Sequence, residues 1–121
     1  GSVQLWLCDT FIKNTPTKVG TDTNWTDIAC GEYHTIAIKT DSTLWTWGNN
    51  FYGQLGLGDT TDRTTPTKVG IDTNWKQIVC GGYHTIALKT NDTLWGWGNN
   101  DYGQLGLGDS IQRDTPNQVR Q

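Results

Sequence analysis

His34-Thr35-Ile36-Ala37-Ile38-Lys39 is the stretch that decides the fold, and it returns fifty residues later as His84-Thr85-Ile86-Ala87-Leu88-Lys89. In each copy two aliphatic residues share one face, Ile36 with Ile38 and Ile86 with Leu88, while Thr, Ala and Lys take the other. That alternation is the period-two pattern of a strand. Upstream, Trp25-Thr26-Asp27-Ile28-Ala29-Cys30 is a short apolar run stopped by Gly31. Downstream, Asp41-Ser42 reads as a turn. Thr43-Leu44-Trp45-Thr46-Trp47 then reads as a third strand, broken by Gly48-Asn49-Asn50. A Gly-rich loop runs to Asp59. Thr67-Lys68-Val69, after Pro66, is a short fourth strand whose Pro suits a strand start or an edge.

The whole unit repeats. Residues 14–63 align on 64–113 without a gap, and 36 of the 50 positions are identical. The expected division is therefore 14–63 for a first blade and 64–113 for a second. Residues 3–13 form a degenerate partial copy, because Val3-Gln4-Leu5-Trp6-Leu7-Cys8-Asp9 falls on Gly53-Gln54-Leu55-Gly56-Leu57-Gly58-Asp59 and loses its glycines. Residues 114–121 open a further copy, and Gly1-Ser2 has the character of an expression scar. About four short antiparallel strands per fifty residues, with no helical pattern between them, describe an all-β chain of two β-propeller blades and exclude βαβ units.

Composition narrows the function. Nine basic against twelve acidic side chains give a net charge of −3, which offers no electrostatic reason to bind nucleic acid or an anionic membrane. No apolar run is long enough for a spanning helix, and no h-region marks a signal peptide. Seven Trp, four Tyr and two Phe are too much aromatic surface to leave in water, so the chain is expected to fold. Fifteen Gly and no Met fit strands and turns better than helices. Three Cys cannot all pair within one chain, which suits a reducing setting and a cytoplasmic location. The sequons at Asn24 and Asn91 are short enough to arise by chance.

At Ile78-Val79-Cys80-Gly81-Gly82-Tyr83-His84-Thr85, Leu94-Trp95-Gly96-Trp97-Gly98-Asn99-Asn100, Gly103-Gln104-Leu105-Gly106-Leu107-Gly108-Asp109, Pro116 and Val119, the unit resembles the regulator of chromosome condensation repeat. The resemblance implies a seven-bladed propeller whose loops, on two faces, bind proteins. It also implies a range of roles, from guanine-nucleotide exchange on a Ran-type GTPase to scaffolding and light sensing. The light-sensing relatives carry Trp where this chain has Glu32 and Gly82, so that role is not implied here.

Each candidate constellation has a structural reading beside a chemical one. Cys30 and His34, with Cys80 and His84, form C-x₃-H in both copies and could ligate zinc. Repetition instead favours Cys as a small apolar residue and His34 and His84 as turn-formers bonded to backbone. The Gly53–Gly58 and Gly103–Gly108 loops could cradle a phosphate, but no Lys follows in the required position. Gly56, Gly58, Gly106 and Gly108 are therefore expected to serve backbone geometry. Asp59 and Asp109 read as turn caps rather than calcium ligands. Glu32 is the only Glu and no Ser sits in a nucleophile elbow, so no catalytic residue, cofactor or metal is expected and the chain is not read as an enzyme. Trp25, Trp45, Trp47, Trp75, Trp95 and Trp97 are expected to fill the core between blades.

These residues predict a non-enzymatic structural and protein-interaction module, either a piece of a longer chain or an engineered repeat unit. A fragment of a Ran-type exchange factor and a metal-binding module remain alternatives. Two blades should leave two apolar faces uncovered, so the partner expected first is the chain itself, in a ring of three or four copies, with another protein as a further partner.

Overall fold

The computed structural model describes residues 6–7, 17–18 and 24–119. Ten strands follow in order: β1 (Trp6–Leu7), β2 (Thr17–Lys18), β3 (Trp25–Cys30), β4 (His34–Lys39), β5 (Leu44–Gly48), β6 (Arg63–Lys68), β7 (Trp75–Cys80), β8 (His84–Lys89), β9 (Leu94–Gly98) and β10 (Arg113–Val119). β1 and β2 pair with each other. The rest form two four-stranded antiparallel meanders, β3-β4-β5-β6 and β7-β8-β9-β10. These are the two blades. Their register repeats pair for pair, Ile36 opposite Ala29 and Ile86 opposite Val79.

The period matches the sequence, but the phase differs. Each sheet begins at a Trp, Trp25 or Trp75, so the division at residues 63 and 64 cuts through β6. The partial copy at 3–9 lies largely outside the described residues. Where it is described, Trp6–Leu7 is strand, whereas Gly56–Leu57 belongs to a loop.

Turn chemistry explains how the sheets stay short. Ser42 and Asp92 take left-handed φ values of 65° and 67° between β4 and β5 and between β8 and β9. Asp41 locks its turn by accepting from the Thr43 N–H at 3.1 Å, and it also accepts from the Thr43 hydroxyl. The Thr43 hydroxyl in turn accepts from Trp45 Nε1 at 2.8 Å. The long β5–β6 loop is tied by one side chain. Asn50 donates to Asp59 O and Thr61 O, both at 3.0 Å, and accepts from Leu55 N at 3.0 Å. Asn100 repeats this with Asp109 O, Ile111 O and Leu105 N.

The second sheet stacks on the first. Ile36, Ile38, Leu44 and Val69 from the first blade form one buried cluster with Trp75, Ile78, Ala87 and Trp97 from the second. On its other side the first sheet holds a second cluster, Trp25, Ala37 and Trp47. Along β4 the first five residues are all buried, whereas β8 alternates, with Thr85, Ala87 and Lys89 buried and His84, Ile86 and Leu88 half-buried. On that side Trp25, Ala37 and Trp47 are at most 1% exposed, whereas Ile28, opposite Ala37, is 38% exposed.

Candidate functional site

The contact between the blades is a polar latch set in an apolar interface. The loop of the first blade turns the Gln54 carbonyl towards the second. There it accepts from the Thr85 hydroxyl at 2.9 Å and from Trp97 Nε1 at 3.0 Å. Thr85 spends its only hydroxyl proton on that carbonyl, so it accepts from His34 Nε2, 3.0 Å away. His34 therefore carries its proton on Nε2, and among the described residues its buried Nδ1 has no hydrogen-bond partner. Burial, and next the charge of His84, lower the His34 pKa to about 4. The ring is a neutral structural element at neutral pH.

Gly56 shows why the loop approaches so closely. Its φ is +73°, and a Cβ there would stand 2.8 Å from Trp97 Nε1. Both facts exclude a larger residue without a shift of the loop. Gly58, Gly106 and Gly108 also have positive φ, at 86°, 70° and 85°. Backbone bonds complete the seam: Glu32 N to Gly82 O at 3.0 Å, Trp75 N to Ser42 O at 3.1 Å and Gly58 N to Asp114 O at 2.9 Å.

The tryptophans divide into two kinds. Trp25, Trp47, Trp75 and Trp97 are at most 2% exposed. Trp45 and Trp95 are half-buried at the margin, which corrects their placement in the core. A lysine explains that position. Lys39 Nζ lies 4.9 Å from the Trp25 ring and 4.1 Å from Trp45, and Lys89 Nζ lies 4.8 Å from Trp75 and 4.1 Å from Trp95. Lys89 is also paired to Asp72 at 2.8 Å. Each ammonium thus rests on two indole faces, an arrangement that attracts a cation through the ring quadrupole. A cleft of about 370 Å³ opens beside this feature, lined by Gly56, Leu57, Val69, Trp75, Trp95 and Pro116.

The two Cys/His pairs differ. Cys30 is disulfide-bonded, whereas Cys80 is a free thiol pushed up to about 12 by burial. A disulfide sulfur is no thiolate ligand, and His34 is committed to Thr85, so Cys30 and His34 do not offer the pair that the metal reading needs. Among the described residues no three His, Cys, Asp or Glu side chains group as a cation site. Asp59 caps its turn by accepting from Thr61 N at 3.0 Å and pairs with Arg63 at 2.9 Å, and Asp109 does the same with Ile111 and Arg113. The Arg63 hydrogen bond is the largest influence holding the exposed Asp59 carboxyl below its usual range.

The Gln54 carbonyl, Thr85 and the lysine sandwiches were not among the residues singled out from the sequence. The first is a main-chain atom and carries no residue-type signal. Lys89 reads as the solvent side of an alternating strand, yet it is 7% exposed. The recurrence of Lys at the same strand end in both copies, beside Trp on the next strands, was the available clue.

The regulator of chromosome condensation (RCC1) repeat model matches residues 41–88 and 91–121, and a second model of that repeat matches 25–54 and 75–104. The human probable E3 ubiquitin-protein ligase HERC6 is 43% identical over 47 residues, which cover 37% of this chain and 5% of that protein. Human HERC4, a probable ligase of the same kind, is 52% identical over 29 residues, 24% of this chain and 3% of that protein. Among solved structures, human WBSCR16 superposes with a TM-score of 0.77 at 27% identity, covering 93% of this chain and 31% of that one. Yeast RCC1 (Prp20), solved with Kap60 bound, gives 0.76 at 22% identity, covering 88% and 27%. The chain spans under a third of these solved relatives and a small part of the ligases.

Proposed function

Because the chain belongs to the RCC1 repeat family, we propose that it works without catalysis, as a propeller-blade module that binds proteins, its own copies among them. The observation that carries this reading is the half-buried face of the second sheet. Ile86, Leu88 and Leu94 stand there partly open, although their counterparts Ile36, Ile38 and Leu44 are at most 3% exposed beneath the second blade. A face built to take a blade is an association surface.

The buried Trp25–Trp47 face bears on the form of assembly. A head-to-tail ring of three or four chains needs that face open. A two-fold pairing uses the second sheet's face on both copies and needs no rearrangement, so the dimer is the favoured form. Yeast Prp20p is described with binding properties to Gsp1p and histones, which supports protein binding as the general role of such blades.

Light scattering tests the self-association. A mass of twice 13.5 kDa at tens of micromolar is expected, with Leu88→Glu returning it to 13.5 kDa. A folded parent that stays at 13.5 kDa across that range overturns the self-association.

A further inference from the structure

One end of the two sheets gathers exposed aromatic rings. β3 and β7 finish there, β4 and β8 start there, and the loops 49–62 and 99–112 close over it. Phe51, Tyr52, Tyr83 and Tyr33 form a continuous row with successive ring centroids 5.0, 5.0 and 5.8 Å apart. Phe51 is 69% exposed and Tyr33 38%. The row crosses the seam, since Tyr52 of the first blade packs on Tyr83 of the second.

The backbone beneath is held in place. Asn49 N donates to Tyr33 O at 2.8 Å, Asn99 N to Tyr83 O at 2.9 Å, and Tyr52 N to Gln54 Oε1 at 2.8 Å. A guest on these rings therefore faces little ordering cost from the loops. Glu32 reaches over Gly82, its Oε2 3.4 Å from where a Cβ would sit. The Tyr83 phenol is pushed up by burial and then by the negative charge of Glu32 beside it.

Charge is polarised the same way. Among the described residues this end holds Glu32, Asp59, Asp62, Asp101, Asp109 and Asp114. Its two arginines, Arg63 and Arg113, are tied to Asp59 and Asp109. Lys39, Lys68, Lys76 and Lys89 all lie towards the opposite end of the strands. The copies also differ at this end. Glu32 replaces the Gly of position 82, and Phe51 replaces the Asp of position 101, so the first copy alone supplies the carboxylate and the outermost ring.

We propose that the row Phe51, Tyr52, Tyr83 and Tyr33, with Glu32, is a docking strip for an arginine-rich protein segment. The ring faces attract cations, and a guanidinium suits them because it is planar, weakly hydrated and stacks on aromatic rings. Glu32 accepts two parallel N–H bonds from one such group. The acidic surroundings raise the rate of encounter with a basic segment and repel acidic ones. This strip uses loop ends rather than sheet faces, so it operates whether or not the chain self-associates.

Calorimetry of the full chain with the peptide acetyl-(Arg-Gly)₄-amide at low salt tests the proposal. Binding below millimolar is expected, weakened about threefold by Phe51→Ala and more by Glu32→Gln. Both positions are exposed, and circular dichroism checks that each variant folds. Binding should fall as salt rises, fall when arginine is replaced by neutral citrulline, and persist in Lys76→Ala at the far end. No binding at 1 mM peptide overturns the proposal. Binding that is indifferent to Phe51→Ala and Glu32→Gln overturns it too, as does equal binding of an Asp-Gly peptide.

Discussion

The two blades share most of their residues yet live in different surroundings. In the first, His34, Ile36, Ile38 and Leu44 are at most 3% exposed, and in the second the equivalent His84, Ile86, Leu88 and Leu94 are half-buried. The reverse holds for the latch. Trp97 Nε1 reaches the Gln54 carbonyl, whereas among the described residues Trp47 Nε1 is buried with no hydrogen-bond partner. Two copies of one strand set thus differ because each blade has a different neighbour on each side. Burial here is a property of the stack, and a residue's contribution to stability should follow its neighbour rather than its type.

The largest expected effect is at the latch. Trp97→Ala removes a fully buried indole and leaves the Gln54 carbonyl with one donor fewer, so it should destabilise by about 3–5 kcal/mol in urea unfolding. A loss within about 0.5 kcal/mol would mean that the seam between blades does not hold the chain together.

The direct comparison of the copies comes next. Ile36→Ala should cost roughly 2–4 kcal/mol, and Ile86→Ala roughly 1 kcal/mol in a monomeric preparation. Equal costs would show that the second face is covered in solution, which would sharpen the case for the dimer.

The smallest expected effect is a pH dependence. The His34 pKa is lowered to about 4, so between about 6.5 and 4 the unfolded chain binds more protons than the folded one. Its contribution is complete above pH 6.5 and is lost as the pH falls towards 4, by at most about 3 kcal/mol. His34→Gln should flatten unfolding free energies measured from pH 7 to pH 4, and parallel curves for variant and parent would remove His34 as the cause. Asp59 and Asp109, held below the ordinary carboxyl range chiefly by Arg63 and Arg113, act at lower pH.

Strand content was legible because the His34–Lys39 alternation and the fifty-residue period both come from local chemistry. Which face of a strand lies inside was not. In β8 the more buried side is Thr85, Ala87 and Lys89, opposite the aliphatic Ile86 and Leu88. The phase of the blades was equally hidden, since a period has no origin until Trp25 and Trp75 are seen to start the sheets. The ring row was invisible for a related reason. Tyr52 and Tyr83 lie thirty-one residues apart and meet only across the seam.

The Gln54 latch has a consequence for how such chains change over generations. Its acceptor belongs to the main chain, which every amino acid supplies. The donors, Thr85 and Trp97, have counterparts in Thr35 and Trp47. A unit placed beside a new neighbour brings Thr and Trp donors of the same kind to the join. Side chains on the loops, Glu32 and Phe51 among them, are free to diverge without renegotiating the join. Compatibility between units rests on the Gln54 carbonyl, Gly56, Thr85 and Trp97 at the join, and individuality is left to the rim.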